Sequence, residues 1–173
     1  MIIGVLGGSF NPVHYGHISL ARNVVASGRV DKVLLSLSPQ SPFKTQDSLM
    51  DDLQRFKLLK EATKDVEEIE ATDVELSLPK PSYTIQALHR LQALNPEDKY
   101  VLIIGADNLQ RFTSWRDWDK ILTEFGLIVY PRDEKVTILP KNLEVFRDKI
   151  VLLENVELFP ISSTQIRNSA TMK

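Results

Sequence analysis

No cysteine occurs among the 173 residues, which excludes disulfides and thiolate-bound metals at the outset. A dominant charge of one sign is missing too: 21 basic residues face 23 acidic ones, for a formal net charge of −2. General attraction to nucleic acid or to an anionic membrane is therefore excluded as a working principle, although a local basic pocket stays open to the chain. No basic segment precedes the first apolar run, residues 2–6, and that run is too short for a secretory signal. No apolar run is long enough to span a bilayer. The expectation is a cytoplasmic protein with neither a nucleic-acid nor a membrane partner. Repeats, low-complexity tracts and Ser/Gly-rich linkers are absent, so the chain reads as one domain. With 43% hydrophobic and 25% charged residues, its composition is that of a globular protein with a substantial core.

What is present alternates between strand and helix. The run 2–6 is continuously apolar and breaks at Gly7-Gly8, as a buried parallel strand would. Residues 15–27 place Ile18, Ala21 and Val25 on one helical face, and Gly28 is a stop signal. A second buried strand is expected over 33–37, followed by a loop carrying Pro39 and Pro42. Ser48 is the expected cap of the next helix, with Asp51 and Asp52 in its first turn and Leu49, Leu53, Phe56 and Leu59 facing inward. An irregular edge strand is expected over 74–78, a helix over 82–94, and strands over 100–104, 126–130 and 150–153. A short helix over 162–169 closes the chain. Such alternation argues for an α/β fold, a doubly wound parallel sheet of the Rossmann-like kind with helices on both faces. In that architecture ligands bind beyond the carboxyl ends of the strands where the strand order reverses. The loops after Leu6 and after Ile104 are thus the expected site.

The first of these loops reads Gly7-Gly8-Ser9-Phe10-Asn11-Pro12-Val13-His14-Tyr15-Gly16-His17. Two glycines directly after a buried strand let the backbone turn sharply and approach a ligand, and free amides at a helix start suit an anion. His14 and His17 share a helix face if the helix starts near residue 14. Taken alone, the loop also fits a plain strand–helix turn with two surface histidines. Half of a metal site is a third reading, but no third ligand of suitable spacing is nearby. The glycines at 4, 7 and 8 do not match G-x-G-x-x-G, and no G-K-[ST] P-loop is present.

Residues 7–17 resemble the nucleotidyltransferase signature G-G-[ST]-F-[DN]-P-x-H-x-G-H. Further motifs resemble the bacterial nicotinate-nucleotide adenylyltransferases: Pro81-Ser82-Tyr83-Thr84 before a helix, Ile103-Ile104-Gly105-Ala106-Asp107-Asn108-Leu109 with Phe112 and Trp115, and Ile161-Ser162-Ser163-Thr164-Gln165-Ile166-Arg167. The loop Ser38-Pro39-Gln40-Ser41-Pro42-Phe43-Lys44 is similar to that family's substrate loop. Members usually continue past the Ser-Ser-Thr-x-x-Arg helix by roughly another helical segment. The expectation is therefore one nucleotidyltransferase domain over residues 1–173, short of a final C-terminal helix.

The resemblance implies transfer of AMP from ATP to nicotinate mononucleotide, giving nicotinate adenine dinucleotide and pyrophosphate, with Mg²⁺ arriving on the triphosphate. It implies catalytic roles for His14, His17 and Arg167. ATP would be held by Gly7, Gly8, Ser9, Phe10, Ser163, Thr164 and Arg167, with Arg132 beside them, although Asp133-Glu134 stand where the family often has a glycine. The acceptor would be held by Asn11, Lys44, Thr84, Gly105, Asp107, Trp115 and Arg116. Lys44 is equally readable as a solvated surface lysine, Asp107 as a helix N-cap, and Trp115 as core beside Phe112 and Trp118. Trp118 itself reads as core, and His89 as a partly exposed helix residue. Arg116, next to the ring-stacking Trp115, is the expected source of charge that favours an acid over an amide. The rival readings are an enzyme preferring nicotinamide mononucleotide, phosphopantetheine or a cytidylyl-transfer substrate, and a non-catalytic nucleotide sensor of the same fold. A homo-oligomer is compatible with all of them.

Overall fold

The continuous apolar runs lie side by side as a parallel sheet in the computed structural model, which describes residues 1–10, 15–39, 51–79, 81–131 and 137–154. Among the described residues the strands are β1 (Ile2–Gly8), β2 (Lys32–Leu37), β3 (Ile69–Thr72), β4 (Lys99–Gly105), β5 (Leu127–Tyr130) and β6 (Ile150–Leu152). The helices between them are α1 (Tyr15–Ala26), α2 (Asp52–Thr63), α3 (Thr84–Leu94), α4 (Ala106–Leu109) and α5 (Trp118–Glu124). The sheet order is β3-β2-β1-β4-β5-β6, and every pairing is parallel. From β1 the chain winds outward to β3, then crosses back and winds outward from β4 to β6. The order reverses between β1 and β4, whose carboxyl ends lie next to each other, so the fold and the switch point agree with the sequence reading.

Neighbouring strand residues point to opposite faces and seed two separate cores. Val5, Leu102 and Ile104 pack with Ile85, Leu88 and Leu91 of α3 and with Ile121 and Leu122 of α5. Leu6, Leu35 and Ile103 pack on the other face with Ala21 and Val24 of α1 and Leu59 of α2. Burial on both faces is why these strands read as unbroken apolar runs. In α1, Ala21 and Val24 carry the buried face, with Ile18 and Val25 flanking it. Gly28, at φ 81°, ends that helix in the left-handed region. No helix among the described residues is long and apolar enough to cross a membrane.

Two expectations need correction. The edge strand is Ile69–Thr72, while Val74–Ser77 is a 3-10 turn. An edge strand buries one side chain in two; Ile69 is inside while Glu70 is exposed and pairs with Lys32, so its charge hid it from an apolar search. Helix α2 is capped by Asp51, whose carboxylate accepts from the Gln54 amide at 2.7 Å, and not by Ser48, which lies outside the described residues, as does Leu49. Its buried stripe is Arg55, Leu59 and Thr63, and Leu53 is 79% exposed. The first turns of α2 lie against loop carbonyls, which call for a cation rather than an aliphatic side chain.

Candidate active site

At the switch point, strand β1 runs straight through its glycines: Gly7 pairs with Ser36 and Gly8 with Leu37. The sharp turn comes later, at Phe10, which adopts φ 43°. A left-handed aromatic residue is a backbone outlier that its surroundings must hold in place. Phe10 is 3% exposed and its ring packs in the core, so what it leaves for a ligand is backbone. Gly8 makes room for that ring, since a Cβ there would meet it at 3.2 Å. The ring also meets His17, edge-to-face with centroids 4.9 Å apart. The half-buried imidazole is thus set by the turn that β1 feeds.

The second loop, after β4, is equally confined. A Cβ on Gly105 would lie 2.6 Å from a carboxylate oxygen of Asp107 and 3.0 Å from the Tyr130 ring, so any side chain there must displace one or both of them. A cavity of about 190 Å³ opens between the two loops, and Gly7, Gly8, Glu75, Thr84, Gly105 and Trp115 line it. It is smaller than the ~300–1,000 Å³ of sites that enclose a drug-sized ligand, and it suits one ring with its substituents. Trp115 is tilted against Phe112 with centroids 5.3 Å apart and also lines this cavity, so its packing on the core does not withdraw it from the cavity. Thr84 opens α3, where the Gln86 side chain accepts from the Tyr83 amide at 2.8 Å. The Arg116 guanidinium sits 4.6 Å from the centre of the Tyr83 ring, next to Thr84.

These loops match known proteins along nearly the whole chain. The model of the cytidylyltransferase-like family matches residues 5–169. A protein of Cytophaga hutchinsonii named "Probable nicotinate-nucleotide adenylyltransferase" is 39% identical over 97% of this chain and 85% of its own length. A Bacteroides thetaiotaomicron protein of the same name is 36% identical over 98% of this chain and 82% of its own. This chain belongs to the nicotinate-nucleotide adenylyltransferases of the cytidylyltransferase-like family. In shape it is similar to the Plasmodium falciparum nicotinic acid mononucleotide adenylyltransferase solved with NaAD, at TM-score 0.75 and 19% identity over 96% of this chain and 82% of that one. That likeness bears on the fold alone.

Of the residues that the family resemblance singles out, the fold brings Gly7, Gly8, Thr84, Gly105 and Trp115 to one cavity. Ser9 and Phe10 directly follow the lining residue Gly8, His17 in the first turn of α1 packs on the Phe10 ring, and Asp107 and Arg116 are next in sequence to the lining residues Asn108 and Trp115. Asn11, His14, Lys44, Arg132, Ser163, Thr164 and Arg167 lie outside the described residues. Trp118 packs on the core against Phe146, as expected. His89 is half exposed on α3 and paired with Glu124 at 3.2 Å, away from the site.

Sequence reading overlooked Glu75. It lines the cavity and accepts from the Ser36 hydroxyl at 2.7 Å. Loss of hydration on burial pushes its carboxyl above the usual range, and the Ser36 bond offsets part of that rise. Its place just before Pro-Ser-Tyr-Thr could have drawn attention, but an edge strand over 74–78 would have pointed it elsewhere. Because its pKa in the folded state is raised, folding favours the protonated acid. Stability is lost as the pH climbs from the ordinary carboxylate range through the raised value, and is level above it. Glu75→Gln keeps an acceptor for Ser36 and removes this penalty. Its Tm should exceed the wild-type value near about pH 7, with the gap closing as the pH falls below about 4. A gap of constant size across thermal melts at several pH values would show that Glu75 ionises freely.

Proposed function

We propose that the protein joins nicotinate mononucleotide to the AMP moiety of ATP, releasing pyrophosphate, as a step of NAD biosynthesis in the cytoplasm. The observation that carries this reading is a cavity at the switch point lined by Gly7, Gly8, Thr84 and Trp115, with the Phe10 turn on which His17 packs following directly after Gly8. A phosphate oxygen of the mononucleotide attacks the α-phosphorus of ATP, and the bond from that phosphorus to the bridging oxygen of pyrophosphate breaks. The acceptor phosphate is already ionised at neutral pH, so no general base is needed. What the protein supplies is alignment, and positive charge on the α-phosphate and the departing pyrophosphate. We assign that charge to His14, His17 and Arg167, and phosphate hydrogen bonds to the backbone of Gly7–Phe10, to Ser163 and Thr164, and to Arg132. Trp115 stacks on the pyridine ring, Thr84 binds its carboxylate, Asp107 accepts from a ribose hydroxyl, and Asn11, Lys44 and Gly105 complete the acceptor side.

Mg²⁺ would arrive with ATP and would supply charge neutralisation on the phosphates. Mg²⁺ keeps several waters and prefers phosphate oxygens. Such an ion would be held through the triphosphate, by phosphate oxygens and water rather than by a cage of carboxylates. The residues that hold it are then those that hold the triphosphate.

Pyrophosphate release with ATP, Mg²⁺ and each mononucleotide in turn tests the reading. Strong release with nicotinate mononucleotide is expected; release with the amide alone would replace the substrate, and none from folded, ATP-binding protein would make it a sensor. Specificity gives a further prediction. Arg116 lies over Tyr83 beside Thr84 but is exposed, so solvent screens its charge. Arg116→Ala should lower the nicotinate-to-nicotinamide ratio of kcat/KM about two- to fivefold, the ~0.5–1 kcal/mol scale of an exposed charge acting on a carboxylate. An unchanged ratio would free Arg116 of any part in choosing the acid.

A further inference from the structure

Among the described residues, Arg55 is the one charged side chain in the buried class, at 1% exposure. One terminal nitrogen, Nη1, donates to the Ser9 carbonyl at 2.7 Å and to the Ser38 carbonyl at 3.0 Å. The other, Nη2, pairs with Asp52, one turn back on α2. The Ser38 amide in turn donates to the Gly8 carbonyl at 2.8 Å. One planar cation from α2 therefore ties together the ends of two adjacent strands, β1 and β2, at the carboxyl edge of the sheet.

Stability alone is a poor reason to bury such a group. Removing a guanidinium from water is costly, and well-packed apolar residues often replace buried ion pairs without loss. Position is a better reason. Ser9 directly precedes Phe10, the left-handed residue whose ring meets His17. A strained residue keeps its conformation only where its neighbours over-determine it. The Ser9 carbonyl, fixed by a fork whose donors have set directions, supplies that constraint from the strand side.

We propose that Arg55 is a positioning residue for nucleotidyl transfer. Its guanidinium sets the turn after β1 and, through Phe10, the imidazole of His17, without touching substrate. This rests on the reading of His17 as a group that acts on the triphosphate. A misplacement of about 1 Å at reacting groups can cost about 10²-fold in rate, so the effect belongs in kcat.

The test compares full-length wild type with Arg55→Lys, Asp52→Asn and His17→Ala. Each is assayed by pyrophosphate release at a temperature well below its own Tm. Lysine keeps the charge but cannot reach two carbonyls and a carboxylate from one plane. Arg55→Lys should lose about 10- to 100-fold in kcat, with the KM for nicotinate mononucleotide within about threefold of wild type. Asp52 is only part-buried, so Asp52→Asn folds and should lose about three- to tenfold in kcat as the fork loosens. Folded Arg55→Lys with kcat within twofold of wild type would overturn the proposal. So would losses that vanish at lower temperature, since they would track unfolding. Should Arg55→Lys fail to fold, Asp52→Asn decides: a reduced kcat upholds the proposal and an unaltered one ends it. Undiminished turnover in His17→Ala would instead remove the reading on which the proposal rests, whereas a crippled His17→Ala beside a fully active Arg55→Lys removes the positioning role only.

Discussion

His17→Ala should lower kcat by about 10²- to 10³-fold if the imidazole acts on the triphosphate as proposed, the cost of deleting one preorganised donor aimed at charge that develops in the transition state. The KM for either substrate moves far less, because the contact strengthens as the bond to pyrophosphate breaks. The fold survives. His17 stands in the first turn of α1, where alanine is the better helix former. The lost ring contact with Phe10 is worth about 0.5–1.5 kcal/mol. That is small against the ~5–15 kcal/mol that holds a domain of ordinary stability. Steady-state pyrophosphate release and a thermal melt on the same preparation check the two halves together. Turnover near the wild-type value in a folded variant would strip His17 of its catalytic assignment.

Gly105→Ala costs about 10- to 100-fold in kcat/KM while shifting Tm by only a few degrees. The added methyl group falls 2.6 Å from the Asp107 carboxylate and 3.0 Å from the Tyr130 ring. The carboxylate is the end of a mobile side chain and gives way, whereas the ring, 8% exposed at the end of β5, yields only by tenths of an ångström. If Asp107 accepts from the substrate ribose as proposed, displacing it removes a charged hydrogen bond worth about 1.5–3 kcal/mol, which is the range of the expected rate loss. A double-mutant cycle isolates the cause. In an Asp107→Ala background, Gly105→Ala should add little to the loss in kcat/KM. Full additivity of the two substitutions would mean that the glycine serves the strand end rather than the carboxylate.

How much of this was legible in advance differs residue by residue. Strands β1, β2, β4 and β5 were readable because burial on both faces leaves no polar position to confuse the pattern. The candidate site was readable because two chemically unusual loops follow β1 and β4, and a doubly wound sheet binds its ligand beyond the carboxyl ends of its strands. Strand β3 was missed because one face of an edge strand is wet, and Glu68 and Glu70 mask it. The buried face of α2 was misassigned because Arg55 looks like surface in any hydropathy pattern; what it meets inside are carbonyls from loops distant in sequence. The turn after β1 was assigned to its glycines, yet the left-handed residue is Phe10, held there by long-range packing that overrides local preference.

By itself the sequence determined the class of fold, most of its strands and helices, the family, and the motifs that single out candidate site residues. Those follow from periodicity and from motifs a few residues long, which are local properties of the chain. Only the tertiary structure decided that His17 leans on Phe10, that Glu75 and Trp115 share a cavity, and that Arg55 binds two strand ends at once. Those are meetings of groups far apart along the chain, and their energies come from burial and hydrogen-bond geometry that exist only once the sheet has closed over them.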